Sequence, residues 1–472
     1  MKSSATSSLN WYWVYRLKIL NQTAADLRTA NILNGHALPV LLRMATPNAL
    51  AFLVQASVSM TEVWYVGQLG TTSLAAMAFI FPGLMLMQML SGGAVGGAVA
   101  SSIARAMGSK QIQRAQELIW HALFIAVCAG FFFAASFALL GERLLIAIGA
   151  RDAVLDEALA YGYVMFGGCI SIWLMSLLSG VFRGLGEMRF PALLMAGGGL
   201  VQVILSGTLV LGWFGMPRLG ILGAALSVIT VATFNTFIAV SKLRSTTLSI
   251  QLTRSAATLK PDLFADIFKV GALASLSPVL TIMSIMIVNG VISRFGDAVV
   301  AGYGIGSRLE FLLIPMVFGF GAAMNTMVGM NVGAGNVQRA EHIAFVGGST
   351  AAALTGIIGI TLAVFPEVWV NVFSDDPATV AAGAQYLQYS GWAFAFQGLG
   401  LSLYFASQGA GTVVWPVIAN FIRFGVGAGG AALAVLVFDA AVEWVFISLA
   451  LGMALYGIVT AGSIKLGAWR RS

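Results

Sequence analysis

The chain has 472 residues, of which 59% are hydrophobic and 9% charged, and its formal net charge is +7. An average soluble domain carries about 25% charged residues, and no aqueous fold buries this much apolar surface, so a soluble enzyme or nucleic-acid-binding module is excluded. The apolar residues fall in runs longer than the roughly 20 needed to cross a hydrocarbon core, without the apolar/polar alternation of a barrel strand. Lipid is therefore the solvent, and the backbone must satisfy itself within helices, which predicts an all-α integral membrane protein.

In chain order, residues 1–37 precede the first span and mix Trp11, Tyr12 and Trp13 with Arg16 and Lys18, as segments lying at a headgroup interface do. They lack the apolar core and cleavage site of a signal peptide. Six helices are predicted at 38–67, 73–106, 112–141, 155–185, 188–214 and 220–244. A polar linker, 245–262, contains Arg254, Lys260 and Asp262. Six more helices follow at 263–293, 298–331, 337–367, 378–409, 413–438 and 442–468, giving twelve transmembrane helices in two six-helix lobes, 38–244 and 263–472. The 55 glycines suit helices in close contact. Cys128 and Cys169 stand apart within apolar runs and suggest neither a disulfide nor a metal site.

Sorting the loops by side leaves 18 Lys and Arg on one face, against Arg143, Arg151, Arg218 and Arg294 on the other. By the positive-inside rule both termini and the linker are cytoplasmic, in a plasma (inner) membrane. On that side Asn21-Gln22-Thr23 is not a glycosylation acceptor.

Self-comparison shows a duplication. Arg183-Gly184-Leu185-Gly186 with Pro191 matches Gln408-Gly409-Ala410-Gly411 with Pro416, and Gly108 with Gln113-Arg114-Ala115 matches Gly333 with Gln338-Arg339-Ala340, both at an offset of 225. Leu69-Gly70 and Phe295-Gly296 pair at 226, so one half carries a single-residue gap. Because each copy holds an even number of spans, the copies share one orientation about an axis along the membrane normal. That arrangement predicts a cavity between two bundles and alternating access by rocking.

At these residues the chain resembles the multidrug and toxic compound extrusion (MATE) family. The resemblance covers nearly everything after residue 38. It rests on Pro47, on Gly67-Gln68-Leu69-Gly70-Thr71, on Phe182-Arg183-Gly184-Leu185-Gly186-Glu187 with Pro191, and on Val332-Gly333-Ala334-Gly335-Asn336 with Arg339-Ala340. It implies two six-helix lobes forming a V, and export of amphipathic organic compounds in exchange for inward-moving protons or sodium ions. Partners are then a small organic substrate, the ion and the bilayer, with no nucleic acid, no cofactor and no enzymatic activity.

Glu62 is the most informative residue. It lies eight positions before Gly70, about 12 Å along a helix, where an ionised side chain costs on the order of 2.5–3.5 kcal/mol unless it faces water or a partner. Gln55 and Ser59 share its helix face, so a polar stripe is expected to line the cavity. A carboxyl group keeps its proton when dry and yields it to water or a nearby cation, so Glu62 is the candidate for cation coupling; a Glu held permanently in a polar helix contact is the alternative. In the family the equivalent position, five residues before Gly67, is usually an aspartate.

The chain departs from the family elsewhere. Where one branch has Asn and Asp four apart in the fifth helix, this sequence has Gln202 and Ser206. No acid lies between Asp266 and Asp297, where another branch has a Glu in the seventh helix, and the tenth helix offers Gln397. Gln55, Ser59, Gln202, Ser206 and Gln397 are the substrate or cavity candidates. With a single cavity acid, neither a preference for cationic substrates nor the choice of ion follows.

Arg308 and Glu310 read as an ion pair or a substrate contact. Arg423, deeper in the eleventh helix, reads as an anion site or a snorkelling cation. Met85, Met87, Met89, Met283, Met286, Met324 and Met327 offer either an adaptable lining or ordinary packing. Gly425-Val426-Gly427-Ala428-Gly429-Gly430 fits a dinucleotide pattern but follows no strand, so helix packing accounts for it. No Walker-type phosphate loop is present, which argues against an ATP-driven pump. The remaining alternatives are a lipid-linked precursor flippase of the same superfamily, a membrane-embedded enzyme, and a scaffold or receptor.

Overall fold

The computed structural model describes residues 26–245, 250, 252–253 and 256–470. The aromatic and basic residues expected at a headgroup interface, with the Asn21 acceptor and Arg254, lie outside the described residues. Among the described residues there is no strand, and ten helices are long and apolar enough to cross a membrane: α1 (Ala37–Gly67), α2 (Thr71–Gly108), α3 (Ile112–Ala147), α5 (Arg189–Leu211), α6 (Ile221–Arg244), α7 (Pro261–Phe295), α8 (Asp297–Gly333), α9 (Val337–Val364), α11 (Val414–Leu436) and α12 (Val442–Lys465). A bent pair, Asp152–Gly167 with Cys169–Gly184, forms α4 and brings the spans to eleven. The segments Pro377–Ser390 and Phe394–Ala410, joined by the 3-10 turn Gly391–Ala393, form α10.

The expected helices therefore stand, with two breaks that hydropathy does not show. Helix α4 bends by 46° around Gly168, and α10 breaks at the corresponding place in the second half. Two π-helical turns also interrupt the spans, at Met89–Val95 in α2 and Gly425–Gly429 in α11. The second of these is the glycine-rich run, and its backbone packs against Gly452 of α12.

The chain folds as two compact units. One holds the described residues through His36, Val54–Ile267 and Gly333–Gly335; the other holds Ala37–Leu53, Phe268–Val332 and the residues from Asn336. In the first unit α2 packs on the second part of α4. A Cβ added at Gly184 would come within 2.7 Å of the Ala100 carbonyl oxygen, and one at Gly180 within 2.6 Å of that of Gly96. In the second unit Gly409 meets the backbone of Asn325, and Gly321 meets the Phe405 ring. All four residues of each set correspond at the offset of 225, so the duplication read from the sequence recurs as a repeated helix-packing contact.

The end of the linker is tied to the first unit. Asp266 accepts from Arg105 at 2.6 Å and Arg114 at 3.1 Å, and Lys260 Nζ pairs with the buried Glu117 at 2.8 Å. The Lys260 N–H donates to Nε2 of the buried His121, and the Trp120 indole donates to the Thr253 carbonyl. The charges of this region are thus largely engaged in ion pairs with one another.

In the second unit, Pro278 inside α7 cannot donate to the Ala274 carbonyl. The Tyr404 hydroxyl of α10 donates to that oxygen instead, at 3.1 Å.

Candidate functional site

Glu62 sits in the last third of α1 and is 8% exposed. Its neighbours one turn away on the same face, Val58, Tyr65 and Val66, are buried too, so this strip of α1 packs inward and the carboxyl group is carried in with it. The Gln202 carboxamide on α5 donates to Glu62 Oε1 at 2.8 Å. From α6 Ser227 lies near the carboxyl group, with its hydroxyl donating to the Ala224 carbonyl at 2.7 Å. Ser227 follows the small residues Gly223, Ala224 and Ala225, and Gly223 lies against the backbone of Leu209, which brings α6 close to α5. Tyr161 of α4, buried, is near enough to Glu62 to interact with it electrostatically. Ser206, one turn beyond Gln202, is buried, and its Oγ has no hydrogen-bond partner among the described residues.

The structure thus brings Glu62 and Gln202 together, with Ser206 on the same face of α5. Ser59 is exposed and Gln55 half-buried, and among the described residues no hydrogen bond joins either to the carboxyl group. Sequence reasoning did not single out Ser227 or Tyr161. The available signal for Tyr161 was its counterpart at the same offset, Tyr386, which stands beside an acid in the other unit.

That acid is Glu310 of α8. The expected ion pair with Arg308 is not formed. Residues two apart point to different sides of a helix; the Arg308 guanidinium lies over the Phe373 ring, 5.8 Å from its centre, whereas Glu310 is approached by the Tyr386 hydroxyl at 3.5 Å. Glu310, Thr355 and Gln397 line a cavity of about 10 Å³, room for about one water. Gln397 Oε1 is buried there with no partner among the described residues. Arg423 donates to Asn420 Oδ1 at 3.0 Å and Thr281 Oγ1 at 3.1 Å, and lies over Tyr456 with its guanidinium carbon 5.5 Å from the ring centre. These contacts are to neutral groups. Of the methionines, Met87, Met324 and Met327 are core residues, while Met283 and Met286 are exposed.

The chemistry available in the first unit is that of one carboxyl group among neutral donors. Among the described residues no Lys, Arg or His pairs with Glu62. A carboxylate locked to a guanidinium stays ionised; one surrounded by an amide and a hydroxyl can hold a proton or coordinate a small cation.

Comparison with known proteins agrees with the fold. The MatE family model matches residues 47–208 and 274–433, once in each half. The chain is 27% identical over 351 residues to the FAD transporter of Shewanella oneidensis, covering 72% of this chain and 75% of that protein. It is 22% identical to the probable multidrug resistance protein NorM of Thermotoga maritima, covering 81% and 82%. Among solved structures it superposes on a MOP superfamily transporter from Pyrococcus furiosus, with a TM-score of 0.86 and 21% identity over 94% of this chain and 99% of that one. An outward-facing multidrug resistance MATE family transporter gives a TM-score of 0.84, also at 21% identity, over the same shares of the two chains. With twelve helices in two repeated halves and a family match in each, the chain belongs to the MatE family, the MATE multidrug efflux transporters.

Proposed function

We propose that the protein is a cation-coupled antiporter that exports amphipathic organic compounds by alternating access, with proton or sodium entry as the driving reaction. The observation that supports this reading is Glu62, buried inside a membrane span and hydrogen-bonded by Gln202, with Ser227 nearby, rather than paired with a cation. Such a group has an unfilled requirement when ionised. A proton or a sodium ion meets that requirement, and release to water on one side with capture on the other makes the group a carrier of charge. Gln202 can follow either state by turning its NH₂ or its carbonyl towards the carboxyl group. The protein sits in the plasma membrane with both termini cytoplasmic, as the distribution of Lys and Arg favours.

The test is transport by purified protein in liposomes, with proton and sodium gradients imposed separately and a cargo panel containing a cationic aromatic dye and FAD. Efflux driven by one gradient and lost in Glu62→Gln is the expected result. Efflux in Glu62→Gln equal to that of the unaltered protein would remove Glu62 from the coupling step. Dependence on a lipid-linked cargo alone would favour a flippase.

A further inference from the structure

The two halves differ where their fourth helices end. At the offset of 225, Phe182, Glu187, Phe190 and Pro191 correspond to Ser407, Thr412, Trp415 and Pro416. In the first half this end is filled: Phe182 is 1% exposed, its ring packs 4.6 Å from that of Phe190, and Arg28 pairs with Glu187. In the second half Ser407 stands where the phenyl ring would be, and a pocket of about 270 Å³ opens between the end of α10, the start of α11 and the end of α12.

The lining specifies a ligand class. Ser407 is 0% exposed, and its Oγ has no hydrogen-bond partner among the described residues; the buried Thr412 Oγ1 has none either. Two desolvated hydroxyls without partners are costly, and both line this pocket. Val413, the N-cap of α11, supplies no side-chain acceptor; with Pro416 lacking an N–H and the Val417 N–H bonded to the Val413 carbonyl, the N–H groups of Val414 and Trp415 are the donors that this positive dipole end adds. No charged residue of either sign lines the pocket, so a ligand ammonium would find no counter-charge, and an anion would be held by hydroxyl and N–H donors alone. The lining also includes Trp415 and Trp469, the residue type that gathers at headgroup level. From the pocket, Val414, Ile418 and Phe421 run along α11 at helical spacing and are all exposed, an apolar track leading into the span.

We propose that this pocket is a lipid site, in which the hydroxyls of Ser407 and Thr412 and the start of α11 hold the phosphate of an anionic glycerophospholipid while its acyl chains lie along Val414, Ile418 and Phe421. The track favours a lipid over a soluble phosphate ester, because a lipid held by its phosphate can also lay its acyl chains along it, which the ester cannot.

Native mass spectrometry of the full-length protein titrated with phosphatidylglycerol tests this. One phosphatidylglycerol is expected to bind at least tenfold more tightly to the unaltered protein than to the double variant Ser407→Ala, Thr412→Val. That variant is close to isosteric and removes two donors to a charged group. Ser407→Phe, which copies the filled end of the first half, should abolish the same binding. Equal affinity in the double variant would overturn the proposal whether or not Ser407→Phe folds. Full competition by free glycerol 3-phosphate would also overturn it, by showing that the acyl chains contribute nothing.

Discussion

The Gln202 carboxamide donates to the Glu62 carboxyl group across 2.8 Å, joining α5 to α1 inside the apolar part of the fold. Removing the charge and removing the donor should therefore have different consequences. Glu62→Gln keeps the shape and can still hydrogen-bond Gln202, so the melting temperature in detergent should change little while gradient-driven efflux falls to background. Gln202→Leu leaves the carboxyl group with one fewer donor, which costs about 1–3 kcal/mol when the group is ionised. Its efflux should persist with a shifted dependence on the driving ion. Paired measurements of melting temperature and of efflux against ion concentration separate these outcomes, and identical behaviour of the two variants would count against the assigned roles.

Much of this was legible in the sequence, for a physical reason. Spans must be long, apolar and helical in lipid, so the helices emerge from hydropathy, and the second copy supplies an internal check at the offset of 225. The breaks in α4 and α10 were not legible: the apolar run passes unbroken through Gly168, and around Gly391 no charged residue or proline interrupts the chain between Pro377 and Pro416. At the site, Glu62 stood out because an acid in a span is expensive, and Gln202 because of its position in α5. Ser227 and Tyr161 are ordinary helix residues whose importance comes only from which helix they face. The pairing of Glu310 with Arg308 fails because proximity in sequence is not proximity on a helix surface.

The repeated contact between the second and fourth helices of each half predicts matched glycine effects. Alanine at Gly184 places a Cβ 2.7 Å from the Ala100 carbonyl oxygen, and alanine at Gly409 meets the Asn325 backbone. Neither obstacle is a flexible side chain, so the helices must separate. Overpacking of this kind costs about 1–3 kcal/mol, more than the gain in helix propensity of about 1 kcal/mol. Both variants should melt earlier, by similar amounts. Gly197→Ala in α5, with nothing within 4 Å of the new methyl group, should melt at the same temperature or later.

The turn after the second helix of each half uses the same geometry with different residues. The Gln111 N–H bonds the Ala106 carbonyl at 2.9 Å, and its counterpart Asn336 bonds Asn331 at 2.8 Å. The residue before each donor has positive φ, 59° at Lys110 and 80° at Gly335. A side chain in this conformation costs about 1–2 kcal/mol. Lys110→Gly should therefore raise stability by up to about 1 kcal/mol after the entropy of glycine is counted, and Gly335→Lys should lower it by about 1–2 kcal/mol. Thermal melting of both variants checks the pair, and the opposite ordering would show that the turn is not strained at Lys110.

The hydroxyl of Tyr404 and the carbonyl of Ala274 provide a conditional prediction. That carbonyl lacks an N–H donor because Pro278 occupies the fourth residue onward, and Tyr404 supplies the missing hydrogen bond at 3.1 Å from another helix. Tyr404→Phe strands a buried carbonyl and should cost about 1–3 kcal/mol. In a Pro278→Ala background the helix can restore its own N–H to Ala274, so the same substitution should cost distinctly less. A double-mutant cycle on melting stability measures the coupling, expected at about 1 kcal/mol between residues 404 and 278. Additive effects would mean that the tyrosine contributes packing alone and that the Ala274 carbonyl is satisfied by other groups.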